Sequence, residues 1–441
     1  MPSPFFFRRR SFSAASLPIC ASADQFCPAH TQWEVLMVSW SGRRKALTIL
    51  AFIGPTLLGI LALNIYPIIY NVYISFTNRN QYHPNPDCTV FLTSVIEPGC
   101  WPMFRSNAGM GQPYVIQEPL FANYDSLIGK LFTGEGVLAL VKLALLFAPL
   151  IIAGQVNKRL DRQLTRPVSS FWVWIGGLAI TVLLAWILNV GGAMKTLEAS
   201  SDFFIVVFRT LLFVVITVPL NYIFGLILAL VLNGDYIKGR TFFRAIMIIP
   251  WAASTMFIIM SLIWQFFFRE QGTINQILRA FGGEGLAWLA NGNYALAAII
   301  LVNLWFSFPF CFNIILGALQ SIPADQYEAA DVDGATYWQQ LVNITLPLLR
   351  PSVMPAIVLS AIGGGGFQMF GTVWAMTGGG PSQGAGVPGA TELVMVYAYK
   401  QVFQYNAYAK AGAFAVIIFI FLFIATLYSM RISRITQGAY E

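Results

Sequence analysis

The sequence predicts an all-α protein that crosses a membrane about eight times. Three observations carry that expectation. Hydrophobic residues make up 57% of the 441 positions and charged residues only 10%, against roughly 25% charged in an ordinary soluble domain. Apolar stretches of the length that crosses a bilayer, about 20 residues, recur along most of the chain. The 26 Lys and Arg and 19 Asp and Glu lie mostly in short segments between those stretches. Basic residues placed that way fix orientation in a membrane and leave no nucleic-acid footprint.

Residues 1–40 read as an N-terminal extension or a mis-assigned start. Arg8, Arg9 and Arg10, a short apolar run broken by Pro18, and Ala21-Ser22-Ala23 superficially resemble a secretory signal. Met37 is an alternative start, because Arg43-Arg44-Lys45 makes a basic lead into the first spanning helix.

The spans are expected at 47–76, 137–155, 171–190, 203–232, 242–268, 294–319, 348–372 and 411–430. The second holds Lys142 and is interrupted by Pro149, and a lysine near a helix end reaches the headgroups. Lys158, Arg159, Arg162 and Arg166, then Lys238, Arg240 and Arg244, then Arg431 and Arg434 fall on one side with the basic N-terminal lead. That side is expected to be cytoplasmic, with both termini on it. The other side receives 77–136, 191–202, 269–293 and 373–410. Cys88 and Cys100 flank a Pro/Gly-rich stretch in the first of these, leaving a disulfide and two free thiols both open.

Several chemistries are not supported. His30 and His83 stand apart from any second ligand, so no metal site is expected and no His-based triad can be assembled. Gly129-Lys130 lacks the following Ser or Thr and the preceding glycine of a phosphate loop, so this chain is expected to hold no cofactor and hydrolyse no ATP. Spans four to eight contain no carboxylate, and Arg209 is their clearest internal charge, which argues against proton coupling. These spans hold neutral polar groups beside aromatics and prolines: Pro219, Asn221, Pro250, Trp251, Ser254, Thr255, Asn303, Trp305, Ser307, Pro309 and Gln368. Taken singly, such groups bond neighbouring helices. Together they suit a neutral polyhydroxyl ligand, whose hydroxyls take hydrogen bonds and whose ring face takes an aromatic. The run Gly363–Gly366 and the prolines allow local unwinding beside a cavity.

The segment 320–347 has no Lys or Arg yet carries Asp325, Glu328, Asp331 and Asp333. Composition alone leaves a solvated turn and a partner-facing loop both open. Its order decides: Glu328-Ala329-Ala330, then Asp333-Gly334-Ala335, then Ile344, Leu346, Pro347 and Pro351. This resembles the EAA loop of ABC importer permeases, with Leu341 where an aromatic is often found. Tyr66-Pro67 through Asn78, Asn123-Tyr124, Thr377-Gly378-Gly379-Gly380-Pro381 and Tyr397-Ala398-Tyr399 are similar to the carbohydrate-import branch, in particular to the larger permease subunit of maltose-type importers.

The resemblance covers 45–128 and 203–435 and implies a type I ABC importer permease fold. It divides the chain into a first helix and external loop at 41–129, an inserted helical hairpin at 130–200, and a core at 201–435 with the coupling loop at 320–351. It implies a cell-membrane subunit that moves a sugar or oligosaccharide. The partners it implies are a second permease, two ATPase subunits that use the ATP, and an extracytoplasmic binding protein. Glu328, Ala329, Ala330, Asp333, Gly334, Ala335, Ile344, Leu346 and Pro347 would form the ATPase-coupling loop. Sugar-contacting positions carry over to Trp251, Thr255, Asn303, Phe306, Ser307, Gly366 and Met369, with Gln368 adjacent. Several relatives place asparagines where glycine and methionine stand here, which leaves the solute open: glycerol phosphate or another small polar solute is the alternative, and an ion-coupled sugar transporter the more distant one.

Overall fold

A computed structural model describes residues 43–101, 111–163, 170–234, 237–363, 365–384 and 387–433. Arg8–Arg10, Met37, Arg166, Gly364 and Arg434 lie outside the described residues. The contacts divide the chain into one unit ending at Leu61 and another beginning at Ala62. The first contributes α1 (Arg43–Ile60), whose Leu50, Phe52 and Leu58 are exposed. Exposed aliphatic and aromatic side chains along a helix are what a lipid-facing surface requires.

The boundary falls in a π-helical turn, Leu61–Ile65, and the second unit continues into α2 (Tyr66–Ser75). The following loop holds β1 (Asn85–Pro86), α3 (Phe91–Ile96) and β2 (Pro113–Tyr114), with β1 and β2 paired in parallel. A disulfide joins Cys88 and Cys100, resolving the choice that the sequence leaves open. It closes a loop that lies along α2, where a row of tyrosines receives it. Tyr66 donates to the Ile96 carbonyl at 2.8 Å, Tyr70 to Glu97 Oε1 at 3.1 Å, and Tyr73 shares a 2.6 Å hydrogen bond with Thr93. Tyr114 donates to the other Glu97 oxygen at 2.6 Å, and burial together with that carboxylate pushes its hydroxyl above the usual phenol range.

Asn123-Tyr124, on α4 (Ala122–Ile128), fastens the end of α2. Asn123 Nδ2 donates to the carbonyls of Ser75 at 2.9 Å and Thr77 at 2.8 Å, and the Tyr124 and Ser75 hydroxyls meet at 2.6 Å. A chain leaving a helix has carbonyls without intrahelical donors, and the Asn123 amide supplies one.

Then come α5 (Gly134–Gln163), α6 (Ser170–Ile187) and α7 (Val190–Ser200). The first two pack on each other. Between α6 and α7 the axis bends by 65°, and Ala193 and Leu197 of α7 bury against Leu131 and Ala139. Asn189 caps α7 by accepting from the Gly192 N–H.

The core is α8 (Asp202–Asn233) crossed by α12 (Gly292–Gln320). Gly225 makes the close approach: a Cβ there would stand 2.9 Å from the Phe312 nitrogen and 3.1 Å from the Cys311 Cβ. Small residues at such crossings let helix backbones meet within a membrane. Around this pair are α9 (Arg240–Ala252), α10 (Phe257–Phe267), α11 (Thr273–Ala280), α13 (Asp325–Val332), α14 (Tyr337–Gln340), α15 (Leu346–Ile362), α16 (Gly371–Thr377), α17 (Val394–Phe403) and α18 (Tyr408–Ser433).

Six helical stretches among the described residues are long and apolar enough to cross a membrane, or up to eight if each bent pair is one span. The fold class expected from sequence therefore holds, with two corrections of shape. The fifth expected span, 242–268, is two helices meeting at 97°. Pro250 and the short 3₁₀ turn Ala253–Met256 break it, as a proline removes a backbone donor and crowds the preceding turn. The seventh, 348–372, stops as a helix at Ile362, and the glycine run carries the chain into a loop before α16.

Candidate functional site

A cavity of about 410 Å³ lies against the middle of α12. It is walled by Trp251 on α9, by Asn303, Phe306, Ser307 and Phe310 on α12, and by the loop from Gly365 to Phe370. The four α12 residues recur at i, i+3, i+4 and i+7, so a straight helix aims all of them at one surface. Their environments differ. Asn303 is 1% exposed and Phe306 6%, whereas Trp251 is 47% exposed.

Asn303 holds the loop in place. Its Nδ2 donates to the Gly365 carbonyl at 2.9 Å, and its Oδ1 accepts from the Ser307 hydroxyl at 3.0 Å. The loop satisfies its own backbone: the Phe367 N–H donates to the Ala361 carbonyl at 2.8 Å, and the Gln368 N–H to the Gly363 carbonyl at 3.2 Å. Irregular backbone is tolerated at membrane depth where it is satisfied within the protein or lines a cavity.

Six of the residues singled out from sequence, Trp251, Asn303, Phe306, Ser307, Gln368 and Met369, line this one cavity. Gly366 does not line it; Gly365 beside it does. The Thr255 side chain lies outside the described residues. Phe257, Phe310, Ser360, Phe370 and Thr372 also line the wall and were not singled out. The helical spacing from Asn303 was a signal sufficient to find Phe310. Phe370 and Thr372 had no comparable signal, because the break after Ile362 sets their positions. Among the described residues no lining side chain carries a charge, so these can offer hydrogen bonds and aromatic faces but no counter-ion.

The acidic segment forms a second feature. Helix α13 ends with Asp333 as C-cap and Gly334 at φ +73°. The Ala335 N–H donates to the Ala330 carbonyl at 2.9 Å and the Gly334 N–H to the Asp331 carbonyl at 3.0 Å. This is the Schellman arrangement, in which glycine takes the left-handed conformation without a Cβ clash. Glu328, Ala329 and Asp333 are exposed, Ala330 is buried, and Val332 is 89% exposed. Ala335 is half-buried, and Ile344, Leu346 and Pro347 lie where the chain turns into α15. Tyr327 bonds Thr345 at 2.9 Å and Gln340 Nε2 donates to Asp331 at 2.5 Å, tying α13 to the start of α15.

Residues 221–434 match the family described as binding-protein-dependent transport system inner membrane component. The trehalose/maltose transport system permease protein of Thermococcus litoralis is 33% identical over 237 residues, 54% of this chain and 76% of that one.

The chain belongs to this family of ABC transporter permeases.

The sulfoquinovosyl glycerol transport system permease protein of Agrobacterium fabrum is 35% identical over 226 residues, 51% of this chain and 70% of the other. A chain of a bacterial ABC transporter involved in alginate import superposes with a TM-score of 0.48 at 22% identity, covering 64% of this chain and 98% of that one. Family membership makes this chain a multi-pass inner-membrane permease subunit of a transporter that works with a binding protein, and not the ATPase. The family region contains the cavity-lining residues and the whole acidic segment.

Proposed function

We propose that this permease moves a sugar or oligosaccharide, handed over by an external binding protein and driven by separate ATPase subunits. The cavity carries the reading. Its wall combines Trp251 and four phenylalanines with the polar side chains of Asn303, Ser307, Ser360, Gln368 and Thr372, and among the described residues no ionised group. A pyranose presents an apolar ring face and hydroxyl edges, which such a wall meets with aromatic faces and neutral hydrogen bonds. Glycerol phosphate would need cations that this wall lacks. The names of the relatives, which include trehalose/maltose and galactooligosaccharide permeases, support the same class.

Coupling is assigned to the acidic segment. The exposed face of α13, with Glu328 and Val332, suits a cleft in an ATPase subunit that is basic at its rim and apolar at its floor. Nucleotide-driven closure would shift α13 as a rigid body, because its C-terminus is capped and Tyr327 and Gln340 tie it to the next turns. The motion passes into α15, 17 residues long and so about 25 Å at ~1.5 Å per residue. At its far end the chain enters the loop held by Asn303, so movement of α15 reaches the cavity wall directly. A second permease would complete the pathway, and the segment 320–351 would face the cytoplasm with both termini.

The test is reconstitution in proteoliposomes with the second permease, the ATPase and the binding protein, followed by labelled-sugar uptake. Uptake is expected only with ATP, and Glu328→Lys or Gly334→Pro is expected to abolish it while the subunits still co-purify in Glu328→Lys. Undiminished ATP-coupled uptake in both variants would remove the coupling assignment. Uptake with no ATPase present would replace it with a self-sufficient transporter.

A further inference from the structure

A second cavity, of about 550 Å³, shares no lining residue with the first among the described residues. Helix α16 joins them: Gly371 and Thr372 border the first, and Thr377 borders the second. The five residue steps from Thr372 to Thr377 put the two walls about 7.5 Å apart along the helix axis, at ~1.5 Å per residue. Ser261 of α10 donates to the Thr372 hydroxyl at 3.2 Å and Gln265 to the Met376 carbonyl at 2.9 Å, so the connecting helix is fixed on α10.

The second wall is built for hydrogen bonding. Tyr397 is 2% exposed, and its hydroxyl is buried with no hydrogen-bond partner. An unpaired hydroxyl in that position is costly unless something fills it. It lies in the field of Asp202, Glu392 and Tyr405, all of which line the same cavity, and burial followed by those acids pushes its ionisation upward, keeping it a donor. Glu392 and Lys400 are spent on each other at 2.6 Å, and Glu392 also accepts from the Gly389 N–H at 3.1 Å. Asp202, Gln401 and Lys410 line the cavity and, among the described residues, make no side-chain hydrogen bond or ion pair. Beside its hydroxyl-bearing rim, the cavity therefore offers the Asp202 carboxylate, the Lys410 ammonium, the Gln401 amide and the Tyr397 hydroxyl, with formal charges that cancel. Its volume is within the range of about 300–1,000 Å³ typical of small-molecule sites.

We propose that this cavity is a second holding site for a neutral polyhydroxyl solute, recognised by Asp202, Tyr397, Gln401 and Lys410. The inference rests on the sugar-importer reading and extends it: the solute would occupy this site before or after the Trp251 cavity, with α16 as the shared wall. Balanced charge suits a sugar, whose hydroxyls both donate and accept, better than an anion or a cation. Tyr405, exposed at the rim, supplies an aromatic face.

The test is equilibrium binding of tritiated maltose and tritiated trehalose to the complete transporter in nanodiscs, without binding protein. Wild type is expected to bind two equivalents, and Trp251→Ala is expected to weaken one of them several-fold and leave the other unchanged. In the Trp251→Ala background, Tyr397→Phe with Lys410→Met is expected to weaken the remaining binding at least fivefold. Tyr397→Phe removes an unpaired hydroxyl, so an unchanged or raised melting temperature is expected and separates loss of a ligand contact from loss of fold. Lys410→Arg is expected to retain binding. If Trp251→Ala abolishes all binding, the second site is overturned and the first stands. If wild type binds neither sugar, the sugar reading of both cavities falls. If the second-cavity variants alter only the affinity for the binding protein, the cavity is a protein-docking feature and the proposal is overturned.

Discussion

Asn303 donates its side-chain N–H to the Gly365 carbonyl at 2.9 Å, joining the centre of α12 to the loop that follows α15. One amide thus does what the sequence offered as two alternatives, bonding a neighbouring element and lining a cavity. Asn303→Ala removes the donor and leaves the Gly365 carbonyl and the Ser307 hydroxyl without their partner. The expected cost is about 1–3 kcal/mol, read as a lower melting temperature, together with reduced uptake. Wild-type values for both would show that the loop is held by something else.

Trp251 is half-exposed, so its truncation removes little packing within the chain. Trp251→Ala is expected to raise the KM for uptake several-fold with normal assembly, and Trp251→Phe to recover most of it. Concentration-dependent uptake in proteoliposomes checks this.

Gly334 sits at φ +73° with open space where a Cβ would stand, so any penalty there is conformational and not steric crowding by neighbours. Gly334→Ala is expected to cost about 1–2 kcal/mol and to fray α13, lowering ATP-coupled uptake. Gly334→Asn should cost less, since asparagine visits the left-handed region more readily. Comparing uptake and ATPase stimulation in the two variants ranks them.

The Cys88–Cys100 disulfide spans 12 residues. Replacing both by serine releases a loop whose closure is worth about 3 kcal/mol. A lower melting temperature is expected, as is new labelling of loop 77–101 by proteases. Maleimide reaction of the native protein before and after a membrane-impermeant reductant also reports which side of the membrane the loop occupies.

Gly225→Leu places a side chain where even a Cβ would lie 2.9 Å from the Phe312 backbone nitrogen. Overpacking of this kind costs about 1–3 kcal/mol. Poor recovery of the folded chain from membranes is the expected outcome, with Gly225→Ala intermediate.

Much of this was legible in the order of residues. Span composition and basic short segments gave the fold class, since the bilayer enforces length and apolarity. Trp251, Asn303, Phe306 and Ser307 were readable through the resemblance to the maltose-type subunit, and they come together around one cavity. The prolines and the glycine run signalled local unwinding, but the expected spans still ran through the bend after Ala252 and the exit at Gly363, because hydropathy averages across a break. The Asn123 clamp on α2 was visible as a motif with no role, since its partners are backbone carbonyls 46 and 48 residues away. The cavity around Tyr397 was invisible for the same reason: Asp202, Tyr397 and Lys410 come together only through the packing of three helices.

Among the described residues of the loop from Gly363 to Met369, main-chain groups bond one another, the end of α15 and the Asn303 amide. Phe367 and Met369 are buried in the core on either side, whereas the Gln368 side chain is exposed and takes no part in that packing. On the sugar-permease reading proposed above, replacement at that position is expected to alter solute preference and leave the architecture untouched. A permease built this way carries an adjustable filter on a fixed frame, and directed evolution aimed at Gln368 should change what is carried before it changes whether the protein folds.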